Sequence, residues 1–324
     1  MSSKSPKAAA PGKTASGRMS LLVLALLIGI NLLWAGSSLA AKLALQTIPP
    51  MTLAFTRFSV AALLMYGIAL ARKVDLRVAK RDWGVFWAMG VLGLALTYLL
   101  AYQGLRLTTA SNFALLHATE TVFLSVLAFF FLGEALPRTK LIGIGLGLAG
   151  VYLIIANGFT IQSFSHSAQG NLLIALALAF EASSSIVGKN LLARYPPLSV
   201  VTYQMLSGAV ALAPFSAYEL SHQIASGHPL SLPPAGALWS LLYLIIPCTV
   251  LGYLIWFSIL DKCDASEMSV FLFIQPVAGA ALGSYFLGDK ITIFTVGGTA
   301  LVLLAVGLVN RRPPAAPLVP PPPV

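Results

Sequence analysis

The sequence predicts an all-α integral membrane protein with ten transmembrane helices, laid out as two inverted five-helix repeats. Three observations lead there. The composition is apolar with few charges, ten apolar runs have bilayer length, and the two halves of the chain resemble each other.

Of 324 residues, 58% are hydrophobic and 9% charged, and the mean hydropathy is +0.87. A water-soluble chain of this length could not cover its surface with so few charges. A bilayer is crossed by roughly 20 apolar residues in a helix. Runs of that length occupy 20–42, 51–71, 83–104, 110–132, 139–157, 170–190, 198–218, 237–260, 267–287 and 291–310. Turn chemistry separates them, as in "IPP" (48–50), "GEALPR" (133–138), "YPP" (195–197) and "HPLSLPP" (228–234).

The net charge of +10 first points to nucleic acid, but its placement points elsewhere. With the N-terminus cytoplasmic, fifteen of the 20 basic residues fall on the inner side. Arg106 and Lys290 are left outside, and Lys42, Arg57 and Lys189 within segments. This is the positive-inside bias of a multi-pass inner-membrane protein with both termini cytoplasmic. Nucleic acid drops out as a partner, and lipid replaces it. Residues 1–19 read as a disordered basic tail. The apolar run from Leu21 is too long for a cleaved signal peptide. Residues 311–324 read as a polyproline-type tail. Cys248 and Cys263 fall in or beside apolar segments and provide neither a disulfide framework nor a metal site.

The duplication is read from spacing. Lys42 matches Lys189, and Pro49-Pro50 match Pro196-Pro197, each 147 positions on. "FLGEAL" (131–136) matches "FLGDKI" (286–291) at 155. The repeats are placed at 20–157 and 170–310, joined by a linker at 158–169. Five helices per half is an odd number, so the second half inserts upside down. Inverted repeats place a substrate site near the bilayer midplane, where one half rocks against the other. That is the layout of a secondary transporter.

The pattern "LLWAGSSLAAKLA", "PP", "FTRF", "FLGE", repeated once, resembles the EamA family of the drug/metabolite transporter superfamily. The resemblance implies ten helices, cytoplasmic termini and movement of small metabolites, often amino acids. The family carries Pro in the fourth and ninth helices. Here Pro276 fits, but Thr121 stands at its counterpart, which predicts a straighter fourth helix.

Charged and polar groups inside the segments mark the candidate site. Glu181 lies about eleven residues into the sixth segment, ~16 Å along at 1.5 Å per residue. A charge there costs on the order of 2.5–3.5 kcal/mol, so it faces a cavity or a partner. One reading is a protonated acid bonded to a neighbouring helix. The other is a group that binds proton and substrate in turn. "FEASSSIVGK" favours the second, because Glu181, Ser183 and Lys189 resemble the first helix of the small multidrug resistance proteins. Glu120 lies at similar depth in the fourth segment, with His117 three positions before it on the same helix face. That pair is either a structural lock or a titratable gate.

Arg57 is read as snorkelling, or as pairing Glu120 or a substrate carboxylate. The repeat partners of Glu181, Glu120 and Arg57 are Trp34, Gln275 and Gln204. Tyr98 and Tyr102 match Tyr253 and Phe257, with Trp256 adjacent, and form either a stacking wall or helix packing. Ser37 and Ser184 complete the set of substrate- or proton-binding candidates. Lys42 and Lys189 read as interface anchors, and Glu134 and Asp289 as local caps. Gly143 and Gly147, and Gly297 with Gly298, make small-residue ridges for close helix contact.

GxSxG, HExxH and P-loop motifs are all absent, which argues against an intramembrane enzyme and an ATP-driven pump. No cofactor is expected. A scaffold or receptor would not need buried acids. The sequence therefore points to an exporter of small metabolites, amino acids or related zwitterions, working by alternating access. Proton-coupled efflux of lipophilic or cationic drugs is the alternative.

Overall fold

The computed structural model describes residues 20–117, 138–156, 166–192, 194–227, 232–260 and 274–309, with scattered positions between 119 and 131 that include Glu120. Among these residues it is all-helical. The elements are α1 (Leu21–Ala44), α2 (Pro50–Ala71), α3 (Trp83–Gly90), α4 (Thr97–Leu107), α5 (Ala110–His117) and α6 (Arg138–Ala156). They continue with α7 (His166–Leu192), α8 (Pro197–Ala225), α9 (Ala235–Tyr243), α10 (Gly252–Leu260), α11 (Ile274–Leu287) and α12 (Ile293–Val309). Five described helical runs are long and apolar enough to cross a membrane: Leu21–Ala44, Pro50–Ala71, Lys80–Leu107, Pro197–Ala225 and Ala235–Trp256. Leu63, Phe130, Trp239 and Leu304 are exposed on helix faces, an apolar exterior suited to lipid rather than water.

Proline and glycine set several helix ends. Pro50 and Pro197 open α2 and α8, where the missing N–H would be unpaired in any case. Gly227 and Gly288 follow α8 and α11 with φ of 76° and 67°, a left-handed conformation that a Cβ disfavours.

Two helical rods contain a π-helical stretch. Val91–Leu96 joins α3 to α4, and Leu244–Leu251 joins α9 to α10. Their last residues, Leu96 and Leu251, are 155 positions apart, the spacing that also relates "FLGEAL" to "FLGDKI". Each stretch has a threonine hydroxyl donating five residues back, Thr97 to Leu92 O and Thr249 to Leu244 O, both at 2.7 Å. A π-turn widens the helix by one residue and leaves carbonyls loosely held, and the threonines satisfy them. Pro247, inside the second stretch, has no N–H to give. Neither stretch was expected from the sequence.

The described part of α5 ends at His117, and Thr119 lies in a turn. Thr119 N bonds Leu116 O at 2.8 Å, three residues back. Such a 3₁₀-type bond tightens the backbone and interrupts the helix without a proline. Pro276 stands at the start of the described part of α11, so its effect on the ninth segment falls outside the described residues.

Helices from the two halves interleave. α2 packs on α8, α4 on α7, α6 on α12, α5 on α11, and α1 on α9, α10 and α11. The main core gathers Phe58, Met65, Tyr102, Leu105, Leu116, Ile174 and Leu178. Polar bonds tie both ends of the bundle. At one end, the Glu219 carboxylate accepts from Thr52 N and Thr52 Oγ1 at 2.8 and 2.9 Å, capping α2. There too, Asp289 accepts from Ser111 N at 2.9 Å, and Thr108 donates to Asn171 at 2.6 Å. At the other end, Asp82 accepts from Arg194 at 2.8 Å and from the Tyr195 hydroxyl at 2.6 Å.

Candidate functional site

The break after α5 brings the acids together. His117 closes α5, Glu120 lies one turn beyond, and Glu181 projects from the middle of α7. Their ligating atoms all lie within 4.8 Å of one another, and all three side chains are partly buried. Residues distant in sequence thus form one cluster, held where α5 packs on α7. One imidazole and two carboxylates can share protons, and the same donors are chemically able to hold a divalent cation.

Two small cavities adjoin the cluster. Thr97, Tyr98, Phe113, His117, Leu178 and Glu181 line one of about 10 Å³. Trp34, Ser37, Ser38, Phe113, His117 and Gln275 line the other, of about 20 Å³. Each has room for about one water molecule. Neither of these two cavities has room for an amino acid. Phe113 and His117 border both cavities, and their rings stack edge to face at 4.9 Å.

Arg57 departs from two of the three readings made of it. It is 4% exposed and does not snorkel. It does not pair Glu120 either. Its Nε donates to Thr249 Oγ1 at 2.9 Å and its Nη1 to the Tyr102 hydroxyl at 2.8 Å. The guanidinium carbon lies 5.1 Å from the ring centres of both Phe58 and Tyr98. Both hydroxyl partners are supplied by the π-containing rods: Thr249 lies within the second stretch, and Tyr102 lies in α4 beyond the first.

Several candidates take structural roles. Ser184 was grouped with the acid, but its hydroxyl donates to Met89 O at 3.3 Å and accepts from Gln204 at 3.2 Å. Gly93 lets Ser184 and Gln204 approach the π-stretch closely. Ser183 bonds its own helix at Ala179 O, 2.8 Å away. Gln204 is therefore a packing contact between α7 and α8. Gln275 borders a cavity yet donates to Asn31 at 2.9 Å, tying α11 to α1. Trp34 also lines a cavity while its indole donates to Cys248 O at 2.7 Å. Trp256 packs with Trp34, Leu27, Ile30 and Ile259 in an apolar cluster. Tyr253 meets Trp34 edge to face at 6.1 Å.

Lys42 turns its ammonium onto the backbone. It donates to Leu105 O and Thr108 O, covering the last carbonyls of α4. Asp289 caps α5 across the bundle rather than locally. Glu134 and the side chain of Lys189 lie outside the described residues.

Comparison with known proteins decides the family. Residues 21–156 and 168–311 each match the EamA-like transporter family. The chain belongs to that family. An Archaeoglobus fulgidus protein named an uncharacterized transporter is 30% identical over 87% of this chain and 94% of its own length. Probable amino-acid metabolite efflux pumps of Salmonella typhimurium and Escherichia coli are 27% and 26% identical, covering 86% and 87% of this chain and 91% of each pump. One crystal structure superposes with a TM-score of 0.61 at 21% identity, over 89% of this chain and 97% of that one, a likeness of fold. The EamA-like chain is thus a multi-pass membrane transporter of small molecules.

Proposed function

We propose that this EamA-like transporter exports amino acids or related zwitterions by alternating access, with ten spans in two inverted five-helix halves and both termini cytoplasmic. The inner membrane is the expected location, from the distribution of Lys and Arg. The two efflux pumps among the relatives support export.

One observation carries the reading: the cluster of His117, Glu120 and Glu181 at a contact between the two halves. Two carboxylates no more than 4.8 Å apart repel by at least about 3.5 kcal/mol at an effective dielectric constant of 20. The pair therefore favours holding one positive charge between its members, either a proton or the ammonium of a substrate. Exclusive occupancy of one site by proton or substrate is the physical basis of exchange. The two ions move in opposite directions because each must leave before the other binds. His117 supplies a second proton acceptor beside the pair, and Thr97 and Tyr98 border the same cavity.

The test is efflux from proteoliposomes under an imposed pH gradient. One proton exchanged per cycle across one pH unit is worth about 1.4 kcal/mol, up to a tenfold substrate gradient. Wild-type protein is expected to show gradient-driven accumulation of an amino acid. Glu181→Gln is expected to insert normally and lose that drive. Undiminished pH-driven transport by Glu181→Gln removes the acid pair from the mechanism.

A further inference from the structure

The Arg57 side chain presents a different kind of site. A guanidinium has five N–H donors and stays charged under all physiological conditions. Here two donors are engaged, one by a threonine and one by a tyrosine, and both partners are neutral. Arg81 and Arg194 pair with Asp82 at one end of the bundle. Among the described residues, Arg57 holds a buried positive charge with aromatic faces and hydroxyls around it and no carboxylate in hydrogen-bond contact. Those rings attract the cation without neutralising it.

Burying a permanent charge in this way is costly unless an anion joins it. An incoming carboxylate matches the remaining fork in charge and geometry, since guanidinium and carboxylate form two parallel bonds. The location fits. Tyr98 contacts the guanidinium and also borders the cavity that holds Glu181 and His117. A positive site and a negative site therefore flank one tyrosine.

We propose that Arg57 is the subsite for the substrate's carboxylate, with the ammonium held at Glu120 and Glu181, an assignment that rests on the zwitterion reading above. The proposal adds a selection rule: the transported molecule must carry a carboxylate beside its amine. It also links binding to movement. Thr249 belongs to the second half and Arg57 to the first, so a carboxylate that takes over the Thr249 bond loosens a tie between the halves. Tyr98 must swing aside for that exchange, because its ring covers the guanidinium in this state.

Full-length protein in proteoliposomes tests this with matched probes: leucine against isoamylamine, and phenylalanine against phenethylamine and phenylalaninamide. Wild-type protein is expected to prefer the free amino acid by at least about tenfold. In Arg57→Lys, which keeps the charge but loses the fork, that preference is expected to fall about tenfold. Equal wild-type transport of acid, amide and amine overturns the assignment without any variant. So does an unchanged preference ratio in Arg57→Lys, whether or not absolute rates fall, since a purely structural arginine lowers all probes together. Failure of wild-type protein to move any probe counts against the zwitterion reading itself, whereas amine transport without acid preference removes only the Arg57 subsite.

Discussion

Replacing Gly104 or Gly170 by Ala probes the contact that sets α4 against α7, the helices bearing Tyr98 and Glu181. The approach is reciprocal. A Cβ on Gly104 would lie 2.6 Å from Gly170 O, and a Cβ on Gly170 would lie 2.6 Å from Gly104 O. A carbon sits comfortably about 3.3–3.6 Å from a carbonyl oxygen, so either alanine must push the backbones apart by about 0.7–1 Å. No flexible side chain can yield in place of the carbonyl. Overpacking of this kind costs about 1–3 kcal/mol. Each single variant is therefore expected to melt lower in detergent, by on the order of 5 °C. The double variant shares one displacement, so its loss should fall about 1 kcal/mol short of the sum. Strictly additive losses, or single variants that melt like wild type, would refute the contact. Gly29 provides the control, because a Cβ there meets nothing within 4 Å.

Two further substitutions test the polar ties at the same end of the bundle. Glu219→Ala removes the acceptor for Thr52 N and Oγ1 at the start of α2. It is expected to cost about 0.5–2 kcal/mol of stability, as other lost helix caps do, read by thermal unfolding in detergent; an unchanged melting temperature contradicts the cap. Lys42→Met uncovers the α4 carbonyls at Leu105 and Thr108. It should lower stability by roughly 1–3 kcal/mol while leaving membrane insertion unchanged. A variant of unaltered stability whose insertion fails would favour the anchoring role.

The acids of the site were legible in the sequence because their cost in lipid makes them conspicuous. Glu181 and Glu120 stand out in apolar runs, and three-residue spacing placed His117 with Glu120. What spacing could not give was the meeting of α5 with α7, which packs Glu181 against the other two. Ser184 and Gln204 show where spacing stops. Nearness in sequence to Glu181, or in the repeat to Arg57, said nothing of orientation, and the side chains turn toward Met89 and each other. The π-stretches were missed because a one-residue widening leaves hydrophobicity unchanged. Pro247 was the one local signal in the second, while the first carries only Gly90 and Gly93.

Composition and charge placement by themselves determined that this chain lives in a bilayer, since burying so many apolar residues and sparing so few charges suits no other solvent. Helical structure followed, because backbone groups in lipid must bond within their own segment. Repetition of short motifs pointed to a duplication, and each half matches the same family. Only the folded arrangement decided which polar groups meet: that Lys42 covers helix ends, that Asp289 reaches across the bundle, and that Arg57 is enclosed by rings and hydroxyls. The reason is geometric. Hydropathy fixes whether a segment is inside the membrane, but its rotation about its own axis depends on close packing at positions such as Gly93, Gly104 and Gly170, and a hydropathy profile carries no record of that rotation.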